Sequence, residues 1–156
     1  MITCKFEDGG DAQLRHVTVG ALLINEKKEI LLVKRASKHR FGKYTIPGGF
    51  LSRDESTEQA TLRELKEETG YEGKILELFR VNDNPQRPKE DRQNVDFLYT
   101  VEKTGGVATL NPEVSEITWF CEELLPSEEE FAFDHRDSIQ KYFQYLKEQF
   151  KLPIIG

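Results

Sequence analysis

The stretch from Gly48 to Tyr71, GGFLSRDESTEQATLRELKEETGY, is the most informative part of the 156-residue chain. It predicts a helix from about Thr57 to Thr69. Ser56 and Gln59 can form a capping box at the start, in which each side chain bonds the other residue's backbone N–H. Gly70 suits the left-handed conformation that commonly ends a helix. Both ends of the predicted helix are therefore marked by local signals.

This helix carries three carboxylates on one face. At 100° per residue, Glu64, Glu67 and Glu68 fall within an arc of about 100°. Their mutual repulsion amounts to about 0.2–0.5 kcal/mol per pair, and the helix macrodipole disfavours negative charge near a C-terminus. A bound divalent cation would resolve both conflicts, because Mg²⁺ takes carboxylate ligands. The alternative is a solvated acidic face, partly balanced by Arg63 and Lys66.

Strands and a second helix are predicted around this segment from the apolar pattern. After an irregular lead-in over residues 1–13, the predicted elements are strands at Leu14–Ile24, Ile30–Val33, Lys74–Asn82, Val95–Glu102 and Glu116–Phe120, and a helix from Asp134 to Phe150. Strands that alternate with two helices predict an α/β sandwich around a mixed sheet. The length suits a single domain over residues 1–156.

The composition of the chain limits the kinds of binding partner and the cellular compartment that we expect for the protein. The net charge of −6 argues against binding to a nucleic-acid backbone, and no apolar run is long enough to span a membrane. Cys4 and Cys121 match no zinc or redox spacing, so we expect reduced thiols in the cytoplasm. The sequence does not decide between a monomer and a homodimer.

One set of spacings resembles a known family. Gly49, five residues, Glu55, seven residues and then Arg63-Glu64-Leu65-Lys66-Glu67-Glu68-Thr69-Gly70-Tyr71 is similar to the Nudix box. Tyr71 is the one departure, since the family usually has an aliphatic residue there, and that position packs rather than reacts. The resemblance implies an α/β/α sandwich around a mixed sheet, covering nearly the whole chain.

The resemblance also implies an activity. Nudix enzymes hydrolyse a phosphoanhydride bond in a nucleoside diphosphate linked to another group. By similarity, Glu64, Glu67 and Glu68 hold Mg²⁺, for which Mn²⁺ could substitute, and Gly48 or Gly49 offers a backbone carbonyl. The metal neutralises the diphosphate and activates water.

Other roles stay open. Arg63 and Glu55 form a salt bridge that orients the junction between loop and helix, or else Glu55 is an outer ligand or proton acceptor. The general base is Glu64 or a carboxylate outside the box, such as Glu116 or one of Glu128–Glu130.

Two segments bear on the substrate. Within the polar loop from Arg80 to Gln93, the stretch Asn82–Pro88 followed by Arg92 is similar to the proline- and arginine-containing loop of Nudix ADP-ribose pyrophosphatases. Residues 132–135, Ala-Phe-Asp-His, resemble a segment frequent in them. We expect Arg87 or Arg92 to bind a phosphate or ribose with its guanidinium fork. Glu116 and Asp134 are the other candidate substrate-binding residues, although Asp134 could simply be a helix N-cap.

These features favour ADP-ribose or another nucleotide sugar as the small-molecule substrate. The alternatives are a pyrophosphohydrolase of (deoxy)nucleoside triphosphates and a domain that senses a nucleotide without hydrolysing it. The role of several basic and histidine residues stays open: they could bind phosphate, pack against other side chains or simply be exposed. These residues are Lys34, Arg35, Lys38, Arg40, Lys43, His16 and His39.

Overall fold

The computed structural model describes residues 2–89 and 92–156. Glu90 and Asp91, which belong to the predicted substrate loop, lie outside the described residues, as does Met1. The strands are β1 (Ile2–Lys5), β2 (Asp11–Leu14), β3 (Val17–Ile24), β4 (Ile30–Arg35), β5 (Tyr44–Thr45), β6 (Gly48–Phe50), β7 (Tyr71–Asn82), β8 (Val95–Gly106), β9 (Val114–Phe120) and β10 (Ile154–Ile155). The helices are α1 (Thr57–Thr69) and α2 (His135–Glu148), with two single 3₁₀ turns at Glu122–Leu124 and Glu128–Glu130.

The main sheet is mixed. Its path runs β10-β7-β8-β3-β4-β5, with β6 paired to β3 and β9 paired to β4. The β3–β8 and β7–β10 pairings are parallel, and the remaining ones are antiparallel. The register of the central β3–β8 pair sets Thr18 beside Asp96. Strand β6, which pairs with β3, carries Gly48 and Gly49 to the same region.

The two helices cover opposite faces of this sheet. Alternate residues of β3 point to opposite sides, as the pleat of a strand requires. Leu65 of α1 packs with Ala21, Leu23, Leu31, Tyr99 and Val101, whereas Ile139, Tyr142 and Phe143 of α2 pack with Leu22, Ile30, Leu32, Phe79 and Leu98. The predicted α/β sandwich around a mixed sheet is therefore confirmed.

The ends of α1 are confirmed as the sequence predicted them. The Ser56 side chain accepts from the backbone N–H of Gln59, and the Gln59 side chain accepts from that of Ser56. Gly70 ends the helix at φ 74°, and its N–H donates to the carbonyl of Lys66. Each of these hydrogen bonds joins residues no more than four positions apart, so the ends of the helix are determined by the local sequence.

Several boundaries differ from the prediction. Residues 2–5 and 11–14 form an antiparallel hairpin, β1–β2, rather than an irregular lead-in. Its strands are too exposed to show the apolar alternation that predicts a strand. Strand β7 begins at Tyr71, directly after the helix, and β8 runs on to Gly106, because the two pair along most of their length with three irregularities. The second helix ends at Glu148.

Arg15 joins the hairpin to the substrate loop. Its guanidinium donates to the backbone carbonyls of Asp83 (2.7 Å) and Asn94 (3.2 Å), and also to that of Gln93. These carbonyls lie at the two ends of the segment that contains Arg87 and Arg92. The hairpin's last residues thus hold both ends of this segment together.

Within residues 2–89 and 92–156, neither helix combines the length and the apolar character that crossing a bilayer demands.

Candidate active site

Two of the three predicted carboxylates meet at the Gly48–Gly49 segment. The Glu68 carboxylate accepts a hydrogen bond of 2.9 Å from the backbone N–H of Gly48. A methyl group at Gly49 would lie 2.5 Å from the carboxyl carbon of Glu64. At Gly48 it would lie 2.1 Å from the backbone oxygen of Val19. Gly48 has no room for a side chain because the backbone of the neighbouring strand β3 lies against it, whereas Gly49 lies against the carboxylate end of the Glu64 side chain.

The electrostatics of this junction favour a cation. Glu68 is only 7% exposed. Burial is the main cause that raises its pKa to about 7, and the charges of Glu64 and Glu113 act in the same direction against the Gly48 hydrogen bond. Burial likewise raises the pKa of Glu64, while Arg63 opposes the shift. Negative charge at these two carboxylates is therefore disfavoured until a positive charge joins them.

Arg63 is the centre of an ion-pair network. It donates to Glu55 from Nε (3.0 Å) and Nη2 (2.8 Å), and from Nη1 to Glu64 (2.7 Å) and Glu67 (3.2 Å). The hydrogen bonds from Arg63, followed by one from the Ser52 N–H, lower the pKa of Glu55 to about 2. This geometry supports the predicted salt bridge at the junction between loop and helix. The alternative role of Glu55, as an outer ligand or proton acceptor, suits it less because its carboxylate is already engaged.

Glu113 is a fourth carboxylate that the sequence did not reveal. It lies just before β9 and acts electrostatically on both Glu64 and Glu68. Its backbone carbonyl accepts from Ala36 (2.7 Å), and Asn111 in the same loop donates to the Glu67 carbonyl (2.9 Å). The pairing of β9 with β4 and the anchoring of this loop on α1 bring Glu113 to the site. No local pattern around it signals this position.

These residues have the donor set that a hard cation needs. Carboxylate oxygens and a backbone carbonyl are the ligands that Mg²⁺ takes in proteins. The three predicted carboxylates do not converge on one point, however, because Arg63 draws Glu64 and Glu67 together while Glu68 turns to Gly48. Among the described residues, no three carboxylate, histidine or cysteine side chains form a ready metal cluster. The residues fit a metal in kind.

A cavity opens beside this junction. Its empty volume is about 650 Å³, counting the open mouth. Gly48 and Gly49 line one part of it, so the cavity touches the carboxylate junction. Its other lining residues include Thr18, Arg35, His39, Phe50, Arg87, Arg92, Asp96, Phe133 and His135.

Arg87 and Asp134 are placed differently from the prediction. Arg87 lines the cavity, but its side chain is 4% exposed and forms a double hydrogen bond with Asp134, at 3.0 Å from Nε and 2.7 Å from Nη2. Asp134 also accepts from Asn82 (3.0 Å) and makes no side-chain cap to α2. Burial alone would raise the pKa of Asp134, yet the Arg87 ion pair lowers it. The pair fixes the loop to the start of α2 and engages both side chains that the sequence analysis assigned to the substrate.

Arg92 lies where the prediction put it, along the cavity, with its guanidinium 5.8 Å from the Phe50 ring centroid. Of the basic cluster ahead of the box, Arg35 also lines the cavity, as does His39. Lys43 instead donates to the carbonyl of Glu129, and Arg40 donates to that of Lys89.

Glu116 is engaged elsewhere. Its carboxylate accepts from Lys34 (3.0 Å), the Tyr44 hydroxyl (3.0 Å) and Thr118 (2.8 Å), and these contacts, Lys34 first, lower its pKa. In the part of the chain that the structure describes, Glu116 does not line the cavity. Of the other candidate bases, Glu128 pairs with Lys89 and Glu130 caps a 3₁₀ turn. Glu113 is a carboxylate from outside the box whose charge acts on both Glu64 and Glu68.

The family follows from the whole-chain comparison. A NUDIX domain model matches residues 14–142, and the chain belongs to this family, as the Gly49–Tyr71 spacing predicted. It is a Nudix pyrophosphohydrolase by class. It is similar to an ADP-ribose pyrophosphatase of Methanocaldococcus jannaschii, with 31% identity over 79% of this chain and 70% of that protein.

Two further relatives differ in name. The 8-oxo-dGDP phosphatase NUDT18 of Danio rerio is 32% identical over 63% of this chain, but the match spans only 28% of that protein. The NUDIX domain of Shewanella oneidensis NrtR, solved in complex with ADP ribose, superposes with a TM-score of 0.71 at 26% identity, over 86% of this chain and 90% of that one.

Proposed function

We propose that the protein hydrolyses the phosphoanhydride bond of ADP-ribose or a related nucleotide sugar, with Mg²⁺ as its metal. The observation that carries this proposal is the position of the Gly48–Gly49 segment. It touches the carboxylates Glu64 and Glu68 on one side and lines the cavity on the other. A diphosphate at this segment would face a metal, while the groups on either side of it would occupy the cavity.

The chain's own residues then have distinct tasks. Glu64, Glu67 and Glu68 would hold the ion, with Gly48 or Gly49 offering a carbonyl. When bound, the ion supplies neutralisation of the diphosphate and an activated water. Arg92 and Arg35 line the cavity and would bind the anionic substrate. We assign proton acceptance to Glu113.

The reason for choosing Glu113 lies in the contacts of the other carboxylates. Glu64 and Glu67 accept from Arg63, and Glu68 accepts from Gly48. A proton acceptor must reach the water that attacks, and it works best when its lone pairs are not already used. Glu113 adds a carboxylate from outside the helix, and its charge acts on both Glu64 and Glu68.

A substrate screen tests the proposal. Purified protein with Mg²⁺ is assayed for phosphate-containing products from ADP-ribose, nucleotide sugars, dinucleoside polyphosphates and nucleoside triphosphates. We expect the highest kcat/KM on ADP-ribose or a nucleotide sugar, and loss of turnover with EDTA. Turnover without any divalent ion would contradict the metal role. A preference of tenfold or more for triphosphates would contradict the substrate.

An oxidised or ordinary nucleoside triphosphate is the second candidate. Similarity to a putative 8-oxo-dGTP diphosphatase of Bacillus subtilis, which is 37% identical over 70% of this chain and 70% of that protein, favours it. The cavity favours the first candidate, because Phe50, Arg35 and Arg92 line it beside the Gly48–Gly49 segment, where they would bind the groups linked to the diphosphate. Mn²⁺ should replace Mg²⁺ in either case.

We also propose a cytoplasmic location. Cys4 and Cys121 are free thiols, which persist in a reducing compartment.

A further inference from the structure

His135, the first residue of α2, is hydrogen-bonded to the segment that leads into Gly48. Its Nδ1 accepts from the backbone N–H of Ile46 (3.0 Å) and lies 2.8 Å from the Thr45 hydroxyl. Because a backbone N–H can only donate, Nδ1 carries no proton and acts here as an acceptor. Burial lowers the pKa of His135, which keeps the ring neutral. The proposed hydrolysis assigns no role to this side chain.

The backbone that His135 holds lies next to the carboxylate junction. Ile46 is 1% exposed and comes two residues before Gly48, whose N–H donates to Glu68 (2.9 Å). The residue between them is Pro47, whose ring fixes φ and also restricts the residue before it. So short and stiff a connection leaves little freedom to move one of the two N–H groups without the other. The bond from Ile46 to His135 therefore affects where the Gly48 N–H meets Glu68.

The alternative is that the imidazole ring only fills space. It packs against Phe133, with ring centroids 5.3 Å apart, and an apolar side chain could make the same contact. The hydrogen bond distinguishes the two roles. A buried N–H that loses its acceptor costs about 1–3 kcal/mol, which favours a shift of the backbone towards another partner. Such a shift at Ile46 would displace Gly48 as well.

We propose that His135 is a positioning residue for the candidate metal site. By accepting from Ile46, it holds the Gly48–Gly49 segment against α1 and thereby raises the affinity for the divalent cation. The residue before it, Asp134, pairs with Arg87 of the substrate loop (2.7 Å). The start of α2 is thus bonded to both the substrate loop and the metal junction. This inference rests on the proposed function for the cation, but not for the hydrogen bonds.

A set of variants separates positioning from packing. His135→Leu fills the space without an acceptor, whereas His135→Asn carries an amide oxygen near the position of Nδ1. His135→Gln, whose amide lies one bond further from the backbone, replaces the leucine variant if that one does not fold. Ser138→Ala is the matched control for lost stability. Ser138 is 2% exposed in the first turn of the same helix, and its hydroxyl accepts from Arg80 (2.9 Å).

The first measurement is amide hydrogen exchange in EDTA, which needs neither metal nor substrate. The exchange rate of the Gly48 amide is compared with that of the Leu22 amide in the core of β3, because a general loss of stability accelerates both. We expect this ratio to rise about tenfold or more in His135→Leu. It should change less than threefold in His135→Asn and in Ser138→Ala. An unchanged ratio in His135→Leu would overturn the proposal.

The second measurement is the affinity for Mg²⁺, obtained from the increase of Tm with Mg²⁺ concentration. His135→Leu should bind Mg²⁺ about tenfold more weakly than wild type, and the other two variants should stay within about threefold. Wild-type affinity in His135→Leu, or an equal loss in Ser138→Ala, would overturn the role in metal binding. If wild-type protein binds no Mg²⁺, the proposed hydrolysis fails, and the exchange of Gly48 still decides whether His135 positions this segment.

Discussion

The carboxylate of Glu68 accepts a hydrogen bond from the backbone N–H of Gly48, 20 residues earlier in the chain. This bond fixes the last turn of α1 against β6 and holds a buried acidic group beside the cavity. The bond also gives a reason for a carboxylate near the C-terminus of α1, where the helix macrodipole disfavours negative charge. Glu68 thus stabilises the contact between α1 and β6, although its charge lowers the stability of the helix itself.

Neutralising a metal carboxylate should abolish most activity and leave the fold intact. Glu68→Gln keeps an acceptor for Gly48, and Glu67→Gln removes one exposed charge. We expect each to lower kcat at least about 100-fold, equivalent to about 2.7 kcal/mol of transition-state stabilisation. Without metal, both should be as stable as wild type or slightly more so. Glu72→Gln, an exposed carboxylate just past the helix, is the control. Near-wild-type activity in both site variants would refute the metal site.

The metal-free protein should lose stability as the pH rises from about 5 to 8. The Glu68 pKa is raised in the folded state from 4.5 to about 7, so the native state binds more protons than the unfolded state in this window. The free energy of unfolding therefore decreases as the pH increases, by at most about 3 kcal/mol. Urea unfolding in EDTA measures it. Glu68→Gln should have a flatter profile, and an unchanged slope in that variant would assign the effect to other groups.

Glu113 and Glu116 allow a direct comparison of two carboxylates three residues apart. Glu113→Gln should lower kcat tenfold or more, since it removes the proposed proton acceptor. Glu116→Gln should change kcat less than threefold, because its carboxylate is bound by Lys34, Tyr44 and Thr118. Steady-state kinetics on the best substrate decides the matter. A larger loss of kcat in Glu116→Gln than in Glu113→Gln would instead identify Glu116 as the proton acceptor.

Arg87→Ala should act mainly on stability. Removing one partner of a buried ion pair leaves Asp134 charged and uncompensated, which costs about 3–5 kcal/mol. Arg92→Ala, in the same loop, should instead raise KM with little change in the free energy of unfolding. Chemical denaturation and kinetics on both variants separate the two roles. Full stability in Arg87→Ala together with a raised KM would restore the substrate contact that the sequence suggested.

A feature of the site could be predicted when the residues that determine it lie close together in the sequence. The ends of α1 and the carboxylate face were predictable, because capping and helical spacing act within a few residues. The partner of Arg87 was not, since Asp134 lies 47 residues further along and only the packing of α2 brings them together. Glu113 depends in the same way on strand pairing. The hairpin of residues 2–14 escaped prediction because its exposed strands lack an apolar face.

The clamp made by Arg15 has a practical consequence for anyone who shortens the chain. Trimming the first 15 residues looks harmless, since β1 and β2 lie outside the main sheet. It would nevertheless remove Arg15, whose side chain donates to the carbonyls of both Asp83 and Asn94. A shortened protein could crystallise well and still give misleading substrate affinities. The segment that carries Arg87 and Arg92 to the cavity would have lost the hydrogen bonds that hold its two ends together.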